Sequence, residues 1–160
     1  MIVGIDDPHA DDVRELIERH LAFARHNSPP EDVHALDLEG LVDPAVTFFS
    51  FRRAGELLGI AALKQIDDYH AELKSMHIAQ GVRGRGIGTA LVDRLIRFAS
   101  ERGFRRISLE TGTQPAFAPA RSLYARAGFT PCEPFGNYSP SPNSTFLTLS
   151  LTPQPDPPKG

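Results

Sequence analysis

The chain is poor in cysteine, has no long hydrophobic run and carries no excess of positive charge. Cys132 is the only cysteine in 160 residues. A single cysteine excludes an internal disulfide and a cysteine-rich metal site, and no metal is expected. It also fits a reducing compartment. Residues 1–12 have neither a basic opening nor an extended apolar stretch. Neither a signal peptide nor a membrane span is expected, and the expected location is the cytoplasm. With a formal net charge of −3, there is no basic surface calling for nucleic acid. Any positive site has to be local.

What is present fits one folded domain, expected over 1–152. Hydrophobic residues make up 41% and charged residues 23%, ordinary values for a globular chain. The proline-rich end, 153–160, reads as a disordered tail.

The stretch that organises the chain is Arg83-Gly84-Arg85-Gly86-Ile87-Gly88. Ile87, Ala90, Leu91, Leu95, Phe98 and Ala99 follow at helical spacing. Met76-His77-Ile78-Ala79 precedes it and reads as a strand. The glycines therefore sit where a strand turns into a helix. The first amides of a helix lack intrahelical partners and lie at the positive end of its dipole. Glycine lets an anion approach the backbone. A phosphate or pyrophosphate site follows. No Lys-Ser/Thr completes a P-loop, and the spacing of Gly84, Gly86 and Gly88 is wrong for a dinucleotide fingerprint.

Around this centre the elements fall in order. Residues 1–5 suggest a short strand, then Val13, Leu16, Ile17, His20, Leu21 and Ala24 mark a helix. His20 sits on its apolar stripe, which suits a hydrogen-bonded structural histidine. Asn27-Ser28-Pro29-Pro30 stops the helix. A second short helix is expected over 31–41, near a segment carrying His26, Ser28 and His34. That segment is either a solvated connection or a substrate-facing lid. Residues 46–52 and 57–66 read as a hairpin, and 70–79 as the next strand. Its apolar parity switches: Ala71 and Leu73 are odd, Met76 and Ile78 even. A β-bulge near Lys74-Ser75 explains the switch, as does a strand buried on both faces. After the central helix come a strand at 104–111, a helix through 120–127, a strand at 129–132, a proline-rich loop at 134–143 and a final strand at 144–151.

Arg83-x-x-Gly86-x-Gly88 resembles the pyrophosphate loop of the GNAT superfamily of N-acetyltransferases. Leu123-Tyr124-x-x-x-Gly128-Phe129 is similar to the second cofactor-binding segment of that family. With the preceding strand, these motifs cover about residues 46–150; the first helices match in topology only. The resemblance implies an α/β (α+β) GNAT-like fold: a mixed, mostly antiparallel sheet, splayed at its centre beside the bulged strand at 70–79, with helices on both faces. It implies acetyl-CoA as cosubstrate. Backbone amides of Gly84, Arg85, Gly86, Ile87, Gly88 and Thr89 would hold the pyrophosphate, with the Arg83 and Arg85 side chains nearby. Main-chain groups of Met76 and Ile78, flanking His77, would meet pantetheine. A small-molecule amine would be the acceptor, and a homodimer is compatible with the family.

Acetyl transfer needs a base, an oxyanion donor and a leaving thiolate; positioning supplies much of the rate. No covalent enzyme intermediate is required, so Cys132 reads as a structural thiol. Glu72 is the first candidate base, at the place the family's catalytic glutamate occupies in its histone-acetylating members. Its alternative is an edge carboxylate paired with Lys74 or an arginine. Glu110 is the second candidate, and His77 the third, with packing its simpler role. Tyr124 is the candidate acid for the thiolate, or else a core tyrosine. His26, Ser28, His34 and Asn143, with Asn137 and Tyr138, are candidate acceptor contacts. An acyl-CoA-binding module without catalysis, and an enzyme acting on peptides, remain as alternative functions.

Overall fold

The structure, a computed structural model, describes residues 2–151. The expected tail at 153–160 lies outside the described residues. The elements are β1 (Ile2–Ile5), α1 (Asp11–Asn27), α2 (Leu38–Leu41), β2 (Val46–Arg53), β3 (Glu56–Gln65), β4 (His70–Ile78), α3 (Ile87–Glu101), β5 (Arg106–Gly112), α4 (Ala118–Arg126), β6 (Thr130–Pro131) and β7 (Ser144–Ser150). Among the described residues, seven strands form one sheet in the order β1-β2-β3-β4-β5-β7-β6. Every pairing is antiparallel except β4 with β5. This is the mixed, mostly antiparallel sheet that the sequence suggested.

The strands bury both faces, which is why several read as continuous apolar runs. Phe49, Leu63, Leu73 and Leu109 pack with Leu91, Leu95 and Phe98 of α3. Phe48, Ile60 and Ala62 pack with Val13, Leu16, Ile17 and Leu21 of α1. Neighbouring Phe48 and Phe49 thus point to opposite layers, as strand alternation requires. Burying each such side chain stabilises the fold by roughly 1.5–3 kcal/mol.

α1 starts with Asp11 and Asp12 and ends with Arg25 and His26, charges that complement its dipole. Arg52 ties its start to the sheet, donating to Asp12 at 2.6 Å and Asp6 at 2.8 Å. The helix expected over 31–41 does not form as one piece. A 3-10 turn spans Pro30–Asp32 and α2 begins only at Leu38. Two sets of hydrogen bonds, one local and one long-range, interrupt it. The Asp37 carboxylate accepts from the Gly40 amide at 2.9 Å, capping a new helix. Asp32 accepts from Ser141 at 3.0 Å and Asn143 at 3.1 Å, which holds the turn against the 134–143 loop. Among the described residues, no helix is long and apolar enough to cross a membrane.

Candidate active site

The site grows from a one-residue irregularity. Ala62 pairs with Lys74, and Ile60 pairs with His77. One residue of β3, Ala61, therefore faces two of β4, Ser75 and Met76. This is the bulge that the parity switch suggested, and Ser75 holds φ at 58°. It reverses the facing of the strand: before it, odd residues such as Leu73 join the α3 core, and after it Met76 and Ile78 do.

The neighbouring strand separates at the same place. β4 pairs with β5 only at His70–Arg106, Ala71–Ile107 and Glu72–Ser108. β5 runs on to Gly112 with β7 as its partner. Beyond Glu72 a gap opens in the middle of the sheet. The Ala79 amide donates to Leu58 on β3 at 2.9 Å. Alternation then turns the main-chain groups of Ile78 and Met76 toward the gap.

A cavity of about 860 Å³ follows this gap, from Arg83, Gly84 and Gly86–Thr89 past Met76–Ile78 to Glu72, Glu110 and Tyr124. At its mouth Gly84 and Gly86 both hold φ at 80°, a conformation suited to glycine, with open space where a Cβ would stand. Among the described residues no side chain caps α3, which leaves its first amides available to an anion. Gly88 has another purpose: a Cβ there would lie 2.9 Å from Leu123, so its absence lets α3 and α4 meet closely. Arg83 borders the cavity, whereas Arg85 is exposed and lies off its lining.

At the far end two carboxylates stand on adjacent central strands. Glu72 is buried, not at an edge. It accepts from Lys74 at 3.2 Å and, over a very short contact, from the Tyr138 hydroxyl. Lys74 also donates to Tyr138 at 2.8 Å. Burial and the Glu72 charge push the Tyr138 phenol upward, so it keeps its proton. Among the described residues, Glu110 has no such ion pair. Burial raises its pKa to about 7, with the Glu72 charge adding to the rise and Ser144 and Lys74 offsetting part of it. The Ser144 hydroxyl is near enough to act on Glu110 but forms no hydrogen bond of ordinary length.

Tyr124 reaches the cavity from the opposite side of the sheet. It is 4% exposed, and burial raises its pKa above the usual phenol value. Both carboxylates belong to the α1 side, because Leu73 and Leu109 beside them face α3. The gap is where groups from the two faces converge.

His77 turns toward α1. Its Nδ1 lies 3.2 Å from Nδ1 of His20, so one ring donates and the other accepts. Burial holds both near pKa 4 and neutral. His20 is thus hydrogen-bonded on the apolar stripe, and His77 packs away from Met76 and Ile78 while still bordering the cavity. Ser28 and His34 line the same cavity, and His34 meets Tyr138 edge-on at 4.9 Å. Asn143 lines a second cavity, of about 760 Å³, which shares Glu72, Lys74, His34 and Tyr138 with the first. His26 is exposed and outside both. The His20–His77 pair, the role of Asp32, and Phe23 against Phe117 at 5.4 Å had no signal in the sequence. Their partners are far apart along the chain.

A family model described as acetyltransferase (GNAT) family matches residues 11–129. The chain belongs to the GNAT acetyltransferase family. The chain is 42% identical over 151 residues to an uncharacterized N-acetyltransferase, YsnE, of Bacillus subtilis (strain 168), covering 94% of this chain and 100% of that one. An IAA acetyltransferase of Azospirillum brasilense is 34% identical over 150 residues, covering 93% and 97%. The fold matches an aminoglycoside 6'-N-acetyltransferase complexed with coenzyme A at a TM-score of 0.72 and 16% identity, covering 98% and 100%. GNAT acetyltransferases use acetyl-CoA as cosubstrate; the cavity of this chain has uncapped helix amides, a glycine-lined mouth and a strand-wide gap.

Proposed function

We propose that this protein transfers the acetyl group of acetyl-CoA to a primary amine of a small molecule, by direct attack in a ternary complex. The observation that carries the reading is Glu110, a carboxylate with a pKa of about 7 inside the cavity that the glycine loop opens. A base working near neutral pH is best placed at such a value.

In this reading the amides of Gly84 to Thr89 hold the pyrophosphate, with Arg83 beside them. Main-chain groups of Met76 and Ile78 hold pantetheine as an added strand would be held. Glu110 accepts the proton of the attacking amine. Glu72, held by Lys74 and Tyr138, shapes the acceptor site. This exchanges the two carboxylates relative to the sequence-based expectation, because Glu72 is already engaged by Lys74 and Tyr138. Tyr124 supplies the proton to the departing thiolate. A main-chain amide at the bulge meets the charge that develops on the acyl oxygen. Ser28, His34 and Asn143 border the space for the acceptor.

A panel of amines offered with acetyl-CoA, read by thiol release, tests this reading. Turnover of a small amine, cut more than tenfold in Tyr124→Phe with its thermal stability retained, is the expected result. Tight CoA binding with no turnover points instead to a binding module. Turnover of peptides alone points to a protein acetyltransferase.

A further inference from the structure

The gap between β4 and β5 is blind at one end. It opens at the glycine loop and closes where Glu72 pairs with Ser108. A chain threaded from the loop along Ile78 and Met76 therefore presents its terminus at the next residue inward, Ser75. Ser75 is 8% exposed and lines the cavity. Its Oγ is buried and has no hydrogen-bond partner among the described residues. A buried hydroxyl left unpaired is destabilising. The residue also holds φ at 58°, in a region that non-glycine residues rarely occupy. Such backbone outliers cluster at ligand-binding sites. Two local costs thus fall on one residue at the closed end of the gap.

We propose that the Ser75 hydroxyl donates a hydrogen bond to the acyl oxygen of the bound thioester. This rests on the acetyl-transfer reading above. The thioester has no donor of its own, and its oxygen is the strong acceptor at that end of the molecule. In the transfer, the amine nitrogen bonds to the acyl carbon and the C=O π pair moves onto oxygen. Return of that pair breaks the C–S bond and releases the thiolate. The amine proton passes to Glu110, and Ser75 keeps its own proton throughout. Its donation strengthens as charge builds on the oxygen, alongside the main-chain amide.

Calorimetric binding of acetyl-CoA and of CoA to wild type, Ser75→Ala and Ser75→Gly tests the contact without any acceptor. CoA lacks the acyl oxygen. Both variants are expected to bind acetyl-CoA about 3–10-fold more weakly, the range of one neutral hydrogen bond, and CoA within about twofold of wild type on the same scale. The thermal midpoint should not fall in Ser75→Ala, since an unpaired hydroxyl is removed. It should rise in Ser75→Gly if the strained backbone is relieved. With an amine found in the panel, kcat should drop roughly 10²-fold, the size of one oxyanion donor. Equal binding of the two ligands across all three proteins overturns the proposal, as does equal weakening of both. Selective loss of acetyl-CoA binding in a protein that acetylates no amine supports the Ser75 contact while removing the transferase reading.

Discussion

At the glycine-loop end the cavity is walled by a short glycine-rich stretch, Gly84 and Gly86 to Thr89. At the opposite end it is walled by side chains brought from five places: Asp32, His34, Glu72 with Lys74, Glu110 and Tyr138. The first end depends on local dihedrals and an uncapped helix. The second depends on hydrogen bonds spanning 66 residues between Glu72 and Tyr138 and 111 between Asp32 and Asn143. A surface made of backbone suits one fixed ligand. A surface made of distant side chains can change from protein to protein without disturbing the fold.

The largest expected effect lies at the side-chain end. Glu110→Gln should lower kcat by about 10²–10³-fold, within the usual span of a general base. CoA affinity should be unchanged. In wild type kcat/KM should rise through pH 7 with the pKa of about 7 that burial gives Glu110. The variant should lose that limb. Stability carries the opposite sign. The folded pKa is raised, so between about 4.5 and 7 the unfolded chain gives up this proton and the native one keeps it. Wild type should therefore lose stability across that window, by about 2–3 kcal/mol. Denaturant titrations at pH 5 and pH 8 should show this loss diminished in Glu110→Gln. Full activity in the variant would return the base role to Glu72 or to water.

A smaller effect is expected at the backbone end. A Cβ at Gly86 would meet no neighbour, but Gly86→Val forces a β-branched residue to φ 80°. CoA binding should weaken about tenfold, matching a strain of roughly 1–2 kcal/mol, with the acceptor KM unaltered. If the acceptor KM rises and CoA affinity holds, the division between the two ends is wrong.

The smallest effect belongs to Tyr138→Phe, which removes the hydroxyl from Glu72 and Lys74. The acceptor KM should rise about 3–10-fold and stability should fall by about 1.5–3 kcal/mol, the worth of a hydrogen bond to a charged group. CoA affinity should stay at the wild-type value. A change in CoA affinity would mean that the network reaches the cofactor end.

The same contrast governs what the sequence made legible. The glycine run, the helix after it and the parity change between Leu73 and Met76 are consecutive, so they read directly as loop, helix and bulge. The order of strands and helices followed from periodicity, and every expected strand has its counterpart. The segment after Pro30 did not read correctly, because its shape depends on Asp32 meeting Ser141 and Asn143. Glu72 and Glu110 were both visible as candidates. Nothing in their neighbours in sequence distinguished them; that depends on Lys74 and Tyr138 closing on one of them in space. Arg85 and His26 had suitable chemistry and local position, but each points outside the cavities.

The gap also bears on association between molecules. Unpaired strand edges are normally a hazard at the rim of a sheet, where another chain can add on. Here an unpaired edge, Met76 to Ile78, lies in the middle, between the α1 layer and the α3 layer. A single slender thread can enter between those layers, but a neighbouring strand with its own sheet cannot. At the rim, the two-residue β6 carries Pro131, which has no amide proton to offer a further strand. The sheet thus keeps an adhesive edge where only a small molecule fits and blunts one of its two outer edges.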